Sequence, residues 1–332
     1  MAIRGSWTFT DDEAILDIQK TVGIVRNFWS DNNFPYYLVT VSPFDRDHGS
    51  ADGSEFTNAF WMFVSRQDRL DGLLPTLAHE SFHTWNPGKM GTVPTGYDGS
   101  KIKWFREGPT DYYGQLLTYR AGLLSAPNYI DSLNVALRRF AGTDDEYVRG
   151  RVIALWIDGM IRKESDGRKS LDDVMFDLVR QRDQPYTLER ILAVSNRFLS
   201  RTSQEELLAA VSRHGSLTMP AQLPVLGACA KATLGDYPTF DLGFDIDKSQ
   251  TTKVVSGVVD EGPAFRAGLR DGDQLLGTSY SKHDPDRQAR FTIASPDGPK
   301  RITYLPQGRP ERAWQYSLDR SLPCDGVATS AH

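Results

Sequence analysis

The sequence predicts an α+β protein in which a small strand-bearing lobe and a series of helices precede a β-rich C-terminal region. Apolar residues recur at helical spacing over most of the first part of the chain. A segment rich in Gly, Pro and Ser then interrupts this pattern. Beyond it, short β-branched and aromatic runs alternate with turn residues. We therefore expect two domains, 1–215 and 225–320, joined by a linker at 216–224.

The N-terminal lobe begins with an amphipathic helix. Residues 11–30 place isoleucine and valine at helical spacing behind an acidic first turn. The segments 35–44 and 58–65 are rich in β-branched and aromatic residues, which predicts two strands. A polar loop containing glycine is expected between them.

Helices dominate the chain from residue 73 onward. A helix is predicted at 73–85, with Pro75 in its first turn, and another at 104–124, with Gly108 and Pro109 in its first turn. Five more helices are predicted at 126–140, 147–164, 170–182, 187–198 and 203–213. In the C-terminal region we expect one short helix at 262–269 and strands at 242–248, 253–259, 273–280, 289–295 and 300–307.

Composition and charge exclude two classes of function. The 332 residues are 39% hydrophobic and 24% charged, which is ordinary for a globular protein. A formal net charge of -5, with scattered basic residues and no glycine-rich phosphate loop after a strand, predicts no binding of nucleic acid. No apolar run approaches the ~18 residues that span a bilayer, so no membrane span is expected.

The compartment depends on Cys229 and Cys324, the two cysteines of the chain. One bridge between them would indicate an oxidising compartment such as the periplasm, whereas two separate buried thiols would fit the cytoplasm. The N-terminus has neither an apolar stretch nor a cleavage site typical of a secretory signal.

The sequence His79-Glu80-Ser81-Phe82-His83 is the strongest functional signal. Residues four apart share a helix face, so both imidazoles can reach one metal ion. Glu80 would then lie beside the metal-bound water and act as general base. The alternative is a buried polar pair on an apolar helix.

A third ligand is expected from Glu107, at the start of the next predicted helix. Two histidines and one glutamate form the ligand set of thermolysin-like zinc peptidases and leave one coordination position open. We therefore predict one Zn²⁺ per chain. The alternative for Glu107 is a carboxylate that complements the helix dipole.

These segments resemble the glycyl aminopeptidase family, PDZ-containing relatives of the aminopeptidase N type enzymes. The family motifs are H-E-x-x-H-x-W-N and E-G-x-T-x-Y-Y. The matching residues are His79, Glu80, His83, Trp85, Asn86, Glu107, Gly108, Thr110, Tyr112 and Tyr113. The segment 147–150 resembles the family's Y-x-K-G, with Arg149 in place of Lys. The resemblance implies a thermolysin-like, mostly helical peptidase domain followed by a PDZ-like domain.

The resemblance also implies roles for residues outside the metal cluster. The hydroxyl of Tyr147 would stabilise the oxyanion of the tetrahedral intermediate, unless this tyrosine only packs near a helix start. Gly53 and Glu55 resemble a loop with which related aminopeptidases bind the substrate's free amine, although the flanking residues depart from the family pattern. An exposed loop carboxylate is the alternative for Glu55. Family members usually carry a further N-terminal β-domain, so this chain is expected to be a fragment or a naturally short form.

In the C-terminal region, Leu242-Gly243-Phe244 resembles the PDZ loop that binds a peptide's C-terminal carboxylate. The implied partners are peptide substrates and a C-terminal peptide ligand. The alternative is a domain that only packs on the catalytic one.

The function expected from these features is a zinc aminopeptidase that removes N-terminal residues; small residues such as Gly or Ala are suggested by the resemblance alone. Two alternatives stay open, a zinc endopeptidase of the same class and a catalytically silent PDZ-type peptide-binding protein.

Overall fold

The computed structural model describes residues 2–31, 36–44, 51–56, 58–66, 69–212, 216–322 and 324, with the backbone alone at 44, 51, 52, 54, 55 and 71. The strands are β1 (Ala2–Ile3), β2 (Leu38–Phe44), β3 (Ala51–Phe56), β4 (Ala59–Ser65), β5 (Gln222–Leu223), β6 (Gly227–Phe240), β7 (Leu275–Ser279), β8 (Ala289–Ile293), β9 (Lys300–Tyr304) and β10 (Gln307–Leu318). The helices are α1 (Asp11–Trp29), α2 (Leu70–Phe82), α3 (Ser100–Arg120), α4 (Ala126–Arg139), α5 (Glu146–Glu164), α6 (Leu171–Arg180), α7 (Leu188–Asn196), α8 (Arg201–Val211), α9 (Ile246–Thr252) and α10 (Pro263–Ala267).

The N-terminal lobe is a four-stranded sheet in the order β1-β2-β4-β3. β2 runs parallel to β1 and β4, and β3 pairs antiparallel with β4. One face of the sheet is covered by α1 and α2, because the apolar residues of both helices recur every three or four positions. This core contains Ala14, Ile18, Val22, Val39, Val41, Phe60, Met62, Val64, Leu73, Leu74 and Leu77.

The polar loop predicted before β4 was wrong for residues 51–56, which form β3. The segment contains Asp, Gly, Ser and Glu, all poor strand formers in isolation. It is a strand because it pairs with β4 from Ala51 opposite Val64 to Phe56 opposite Ala59. Pairing with a neighbouring strand outweighs the weak intrinsic preference, and β3 is an edge strand of this sheet.

The helices α3 to α8 form a second and larger core with the C-terminal end of α2. Large aromatic side chains fill it, and those buried most completely include Trp85, Trp156, Tyr112, Tyr113 and Tyr129. The predicted helices are present within a few residues at each end. However, α2 begins at Leu70 and α3 at Ser100, so Pro75 and Pro109 lie inside helices and not in the predicted first turns.

Beyond α8, the chain forms a long hairpin of β6 and β10. The strands pair from Ala230 opposite Leu318 to Phe240 opposite Gln307. The base of the hairpin and the segment before it pack into the larger core through Leu217, Met219, Leu223, Val225, Leu226, Cys229, Ala230 and Tyr316. The segment predicted as a linker thus contributes to this core, and the domain boundaries at 215 and 225 stay a prediction.

The far end of the hairpin holds a small unit of residues 241–306, called the distal unit below. It contains α9, α10 and a sheet in the order β7-β8-β9. The sequence predicts these three strands and α10. The strands predicted at 242–248 and 253–259 were wrong: α9 occupies much of this stretch, and Val254 makes only an isolated bridge. The helix forms because the Asp245 side chain accepts a hydrogen bond from the Lys248 amide at its N-terminus.

A disulfide within the C-terminal region and an ion pair to α4 add to these contacts. Cys229 and Cys324 form a disulfide across 95 positions of sequence, the arrangement the sequence left open. Arg138 on α4 forms an ion pair of 2.6 Å with Asp286 of the distal unit. Among the described residues, no helix combines the length and the apolar character needed to cross a bilayer.

Candidate metal centre

The last turn of α2 brings two imidazoles to one point. His79 and His83 are four residues apart and therefore share a helix face. Their Nε2 atoms lie 3.1 Å apart, and both side chains are buried. Two buried imidazoles whose ring nitrogens converge in this way have the arrangement of a metal-ligand pair.

Helix α3 adds a carboxylate to the pair. Oε2 of Glu107 lies 3.3 Å from His83 Nε2 and 3.7 Å from His79 Nε2. The three ligand atoms lie within 4.8 Å of one another, and all three residues are buried. The structure therefore brings together the three residues that the sequence proposed as ligands.

The position of Glu107 depends on Pro109 and Asn86. Pro109 has no N–H group, so it cannot donate to the carbonyl of Phe105 one turn earlier in α3. Asn86, which follows α2, donates from Nδ2 to this carbonyl at 2.9 Å. The same amide donates to Thr110 Oγ1 at 3.1 Å and accepts from the Tyr186 hydroxyl at 3.0 Å. Asn86 thus joins the end of α2 to the turn of α3 that carries Glu107.

Each histidine ring has a polar neighbour on its far side. His83 Nδ1 donates to the backbone carbonyl of Asn86 at 2.9 Å, which leaves Nε2 unprotonated and facing the cluster. His79 Nδ1 lies 3.8 Å from Oδ1 of Asp111, whose other oxygen is 3.5 Å from Nη1 of buried Arg151. Such partners of ligating histidines fix the ring orientation and raise its basicity.

Sequence reasoning missed Asp111 and Arg151. The signal for Asp111 was available, because it lies four residues after Glu107 and so shares its helix face. Arg151 follows the recognised glycine of 147–150 by one position, but no motif marks it.

The donor set fits a zinc ion. Ligand atoms of a tetrahedral zinc at about 2.0–2.1 Å lie roughly 3.3 Å apart, close to the separations measured here. Oε2 of Glu107 is buried and has no hydrogen-bond partner among the described residues. Burial acts to raise the pKa of Glu107, but the adjacent imidazoles of His79 and His83 outweigh this effect, so the pKa is lowered and the carboxyl is ionised. A buried carboxylate between two imidazoles is a suitable ligand for a divalent cation.

Tyr147 lies at the start of α5, next to the cluster. Its ring stacks on His79 with a centroid distance of 5.9 Å. Burial raises its pKa, and the charge of Glu107 together with a hydrogen bond to that carboxylate raises it further, so the hydroxyl stays protonated at neutral pH. The side chain is 44% exposed, which leaves it accessible to a ligand.

A close helix crossing sets the position of Tyr147. A Cβ on Gly150 would lie 2.0 Å from the Trp104 carbonyl oxygen, and one on Gly108 would lie 2.1 Å from the carbonyl carbon of Gly150. Only glycine allows α3 and α5 to approach so closely. Tyr147, one turn before Gly150, is consequently within reach of Glu107.

Glu80 is buried on α2 and contacts the backbone of β3. A Cβ added to Gly53 would lie 2.4 Å from Glu80 Cδ, so the glycine makes room for the carboxylate. Glu55 belongs to β3 and pairs with Phe60 on β4, but its side chain lies outside the described part of the structure. Its predicted contact with a substrate amine stays a prediction.

The predicted carboxylate-binding loop lies in the distal unit. Leu242 and Phe244 are buried in the core of that unit. Gly243 has a φ of 75°, and its N–H donates to Asp241 Oδ1 at 2.7 Å. The PDZ-like assignment and its peptide ligand stay predictions, because α9 follows this loop where a strand was expected.

Other motif residues hold the helices together. The Tyr112 hydroxyl donates to Asp158 at 2.9 Å, and that of Tyr113 donates to Asp172 at 2.7 Å. Trp85 Nε1 donates to Asp31 at 3.0 Å. Arg149, found where the family has lysine, donates from Nη2 to the Ala210 carbonyl at 2.9 Å and so contacts α8.

Comparison with known proteins agrees with this arrangement. Residues 72–169, which contain the whole metal cluster, match the family described as M61 glycyl aminopeptidase. An aminopeptidase N family protein from Idiomarina loihiensis has a similar fold, with a TM-score of 0.61 and 17% identity, over 96% of this chain and 66% of that one. An M1 zinc metallopeptidase from Deinococcus radiodurans gives a TM-score of 0.46 and 13% identity, over 66% of this chain and 48% of that one. No curated protein sequence gives a significant match.

This chain therefore spans about two thirds of the first of these structures and about half of the second. The likeness to the first indicates a shared fold of mixed helices and strands. The resemblance inferred from the sequence is confirmed: residues 72–169, which include His79, His83 and Glu107, are similar to the M61 glycyl aminopeptidase family.

Proposed function

We propose that this protein is a zinc-dependent aminopeptidase that releases N-terminal residues from peptides. His79, His83 and Glu107 hold the metal in this proposal. The observation that carries it is the convergence of their ligand atoms, at separations of 3.1 to 3.7 Å, on the side of α2 next to Glu80. Zinc is favoured because two imidazoles and one carboxylate match its donor preference.

In the proposed mechanism, a bound zinc ion would supply a Lewis acid and would lower the pKa of a water toward neutrality. Glu80 takes the proton of the attacking water and transfers it to the leaving amine. Tyr147 donates a hydrogen bond to the oxyanion that develops on the carbonyl oxygen. Its raised pKa supports this role, because the hydroxyl keeps its proton over the neutral range. Asp111 keeps the His79 ring in place.

Restriction to chain ends would come from Glu55 on β3. Gly53 lies two residues away on the same strand and contacts Glu80, which supports a position of this strand beside the reacting bond. A carboxylate there would bind a free α-amino group, which internal peptide bonds do not offer. The family resemblance suggests small N-terminal residues such as Gly or Ala.

The test uses the purified chain loaded with one equivalent of zinc. Release of p-nitroaniline from Gly and Ala p-nitroanilides, and of Ala from Ala-Ala-Ala, should require the metal and stop with a chelator. Glu80→Gln should keep zinc and lower turnover by about 10²–10⁴-fold, because it removes the general base but not a ligand. Turnover retained in Glu80→Gln would remove Glu80 from the mechanism.

A second comparison separates the alternatives. Ala-Ala-Ala should be cleaved and its N-acetylated form should not. Equal cleavage of both would indicate an endopeptidase in which Glu55 plays no part. Zinc bound without hydrolysis of any peptide would indicate the silent peptide-binding protein.

We also propose an oxidising compartment, such as the periplasm, for this chain. The bridge between Cys229 and Cys324 supports this, because such bridges persist mainly outside the reducing cytosol. Titration of free thiols in the unreduced, denatured protein should find none. Two titrating thiols in protein isolated from its own cell would contradict the compartment.

A further inference from the structure

A cleft of about 340 Å³ lies between the helical part and the distal unit. Helices α3, α4 and α5 form one side, and the segment after β7 forms the other. This volume is within the range of small-ligand sites. The charged residues that line it are Asp111, Arg139, Asp145, Arg151, Lys282, Asp284 and Arg287.

The cleft lies next to the metal centre. Tyr147 lines the cleft and stacks on His79 at 5.9 Å. Asp111 also lines the cleft and lies 3.8 Å from the Nδ1 atom of His79. A substrate with its first carbonyl at the cluster could therefore extend its remaining residues into the cleft.

Cations exceed anions in the lining. Each carboxylate forms an ion pair with an arginine: Asp111 with Arg151 at 3.5 Å, Asp145 with Arg139 at 2.9 Å, and Asp284 with Arg287 at 3.3 Å. Lys282 is the fourth cation, and it forms no ion pair with any residue that the structure describes.

Arg151 adds to the positive potential. Its side chain is 8% exposed, and its Nε and Nη2 atoms have no acceptor among the described residues. The carboxylate that pairs with it, Asp111, also faces His79. A buried guanidinium whose charge is only partly compensated strengthens attraction for an anion, because the surroundings screen it less than water does.

The positive charges that line the cleft also act on the neighbouring His283. Partial burial, followed by the charges of Arg139 and Lys282, lowers its pKa to about 4. The positive charges at this cleft thus act on a group beside the lining.

We propose that this cleft binds a carboxylate of the peptide substrate, beyond the bond that is cleaved, through the excess positive charge of Lys282 and Arg151. The proposal rests on the aminopeptidase function and names its substrate class, short peptides with a free C-terminus. An extended chain covers about 3.3–3.6 Å per residue, so in a short peptide the C-terminal carboxylate lies only a few residues from the carbonyl at the cluster. An acidic side chain near the N-terminus offers the same chemistry from a second source.

The test measures binding without turnover. The Glu80→Gln protein, zinc-loaded, is titrated by calorimetry with Ala-Ala-Ala and with its C-terminal amide. The free acid should bind about tenfold more tightly, as for one charge-assisted hydrogen bond. Lys282→Gln in this background should reduce the ratio of the two affinities towards one, and higher salt should do the same. In the active enzyme, Lys282→Gln should raise the KM of the free acid and change kcat little.

Lys300→Gln is the matched control, since Lys300 is an exposed lysine of the distal unit that does not line the cleft. It should keep the ratio of the unsubstituted protein. The affinities of Ala-Glu-NH₂ and Ala-Gln-NH₂ are compared in the same way. Tighter binding of Ala-Glu-NH₂ would identify an acidic side chain, and not the C-terminal carboxylate, as the group that is bound. Equal binding within both pairs would overturn the proposal. If the free acid binds more tightly than the amide as expected but the unsubstituted protein hydrolyses no peptide, the cleft stays as proposed and the peptidase function is rejected instead.

Discussion

Gly108 on α3 and Gly150 on α5 meet backbone to backbone, so that a Cβ on Gly108 would lie 2.1 Å from the Gly150 carbonyl carbon. This contact has a chemical consequence because the two helices carry different parts of the site. Glu107 precedes one glycine, and Tyr147 lies one turn before the other. The separation of the proposed ligand and the proposed oxyanion donor is therefore set by a helix crossing.

Gly150→Ala should destabilise the fold and displace Tyr147. The new methyl group would lie 2.0 Å from the Trp104 carbonyl, and the rigid backbone there cannot yield without separating α3 from α5. We expect a loss of about 1–3 kcal/mol in urea unfolding, together with a fall in kcat. Gly23→Ala on α1 is the control, because a Cβ there meets nothing within 4 Å. Unfolding of Gly150→Ala at the same urea concentration as the control would contradict the close crossing.

Asn86→Ala should weaken the junction between α2 and α3. The substitution leaves the Phe105 carbonyl without the donor that replaces the missing N–H of Pro109. Buried groups left without partners cost about 1–3 kcal/mol each, which should appear in the thermal unfolding of the metal-free protein. Zinc affinity should fall as well, because Glu107 lies in the loosened turn. A variant as stable as the parent would show that Asn86 does not hold this turn.

Gly53→Ala should affect catalysis more than stability. Its methyl group would collide with the far end of the flexible Glu80 side chain, which can move at little cost in folding energy. A displacement of the general base by about 1 Å lowers turnover by about 10²-fold. Zinc content should be unchanged. Gly72→Ala, on the helix that carries Glu80 and with open space at its Cβ, is the control for kcat.

Asp111→Asn should lower zinc affinity while the three ligands stay in place. The amide keeps the shape of the carboxylate but removes the charge that faces His79 Nδ1. Loss of such a partner weakens metal binding by about 10–100-fold, measurable by competition with a chelating dye. Asp131→Asn, an exposed position of α4, should bind zinc as the parent does. Parent-like affinity in Asp111→Asn would exclude the orienting role.

His283 should make stability depend on pH. Its pKa is about 4 in the folded protein and about 6.5 in the unfolded chain, so between these pH values the unfolded chain binds the proton and the folded protein does not. Stability is therefore lost as pH falls from about 6.5 to 4, by no more than about 2 kcal/mol because solvent screens the half-exposed ring. His283→Asn, which tolerates the φ of 67° at this position, should remove that part of the dependence of the urea midpoint.

The sequence predicted the helices and the metal cluster because their signals are local. The spacing of His79 and His83 guarantees a shared helix face, and apolar residues at helical intervals identify α4 to α8. Strand β3 was missed because its stability comes from pairing with β4, which leaves no mark in its composition. The first residues of α9 were predicted as part of a strand from the apolar residues around them, but the cap at Asp245 begins a helix there.

The parts of the site that depend on tertiary contacts were not predictable. Arg151 and Lys282 are 131 positions apart and line one cleft only because the hairpin of β6 and β10 returns the distal unit to α4. The use of Asn86 as a donor to Phe105 could not be inferred either, since α3 was predicted to begin four residues late. With that error, Pro109 appeared to need no replacement donor.

The distal unit begins and ends between paired strands: the Asp241 amide donates to the Pro306 carbonyl at 2.9 Å, where β6 leads in and β10 leads out. Adjacent termini of this kind are those of an inserted cassette. Residues 241–306 could consequently be exchanged for an Asn-Gly turn that closes the hairpin directly. In evolution or by design, a different unit could therefore replace this side of the cleft while the rest of the fold stays the same.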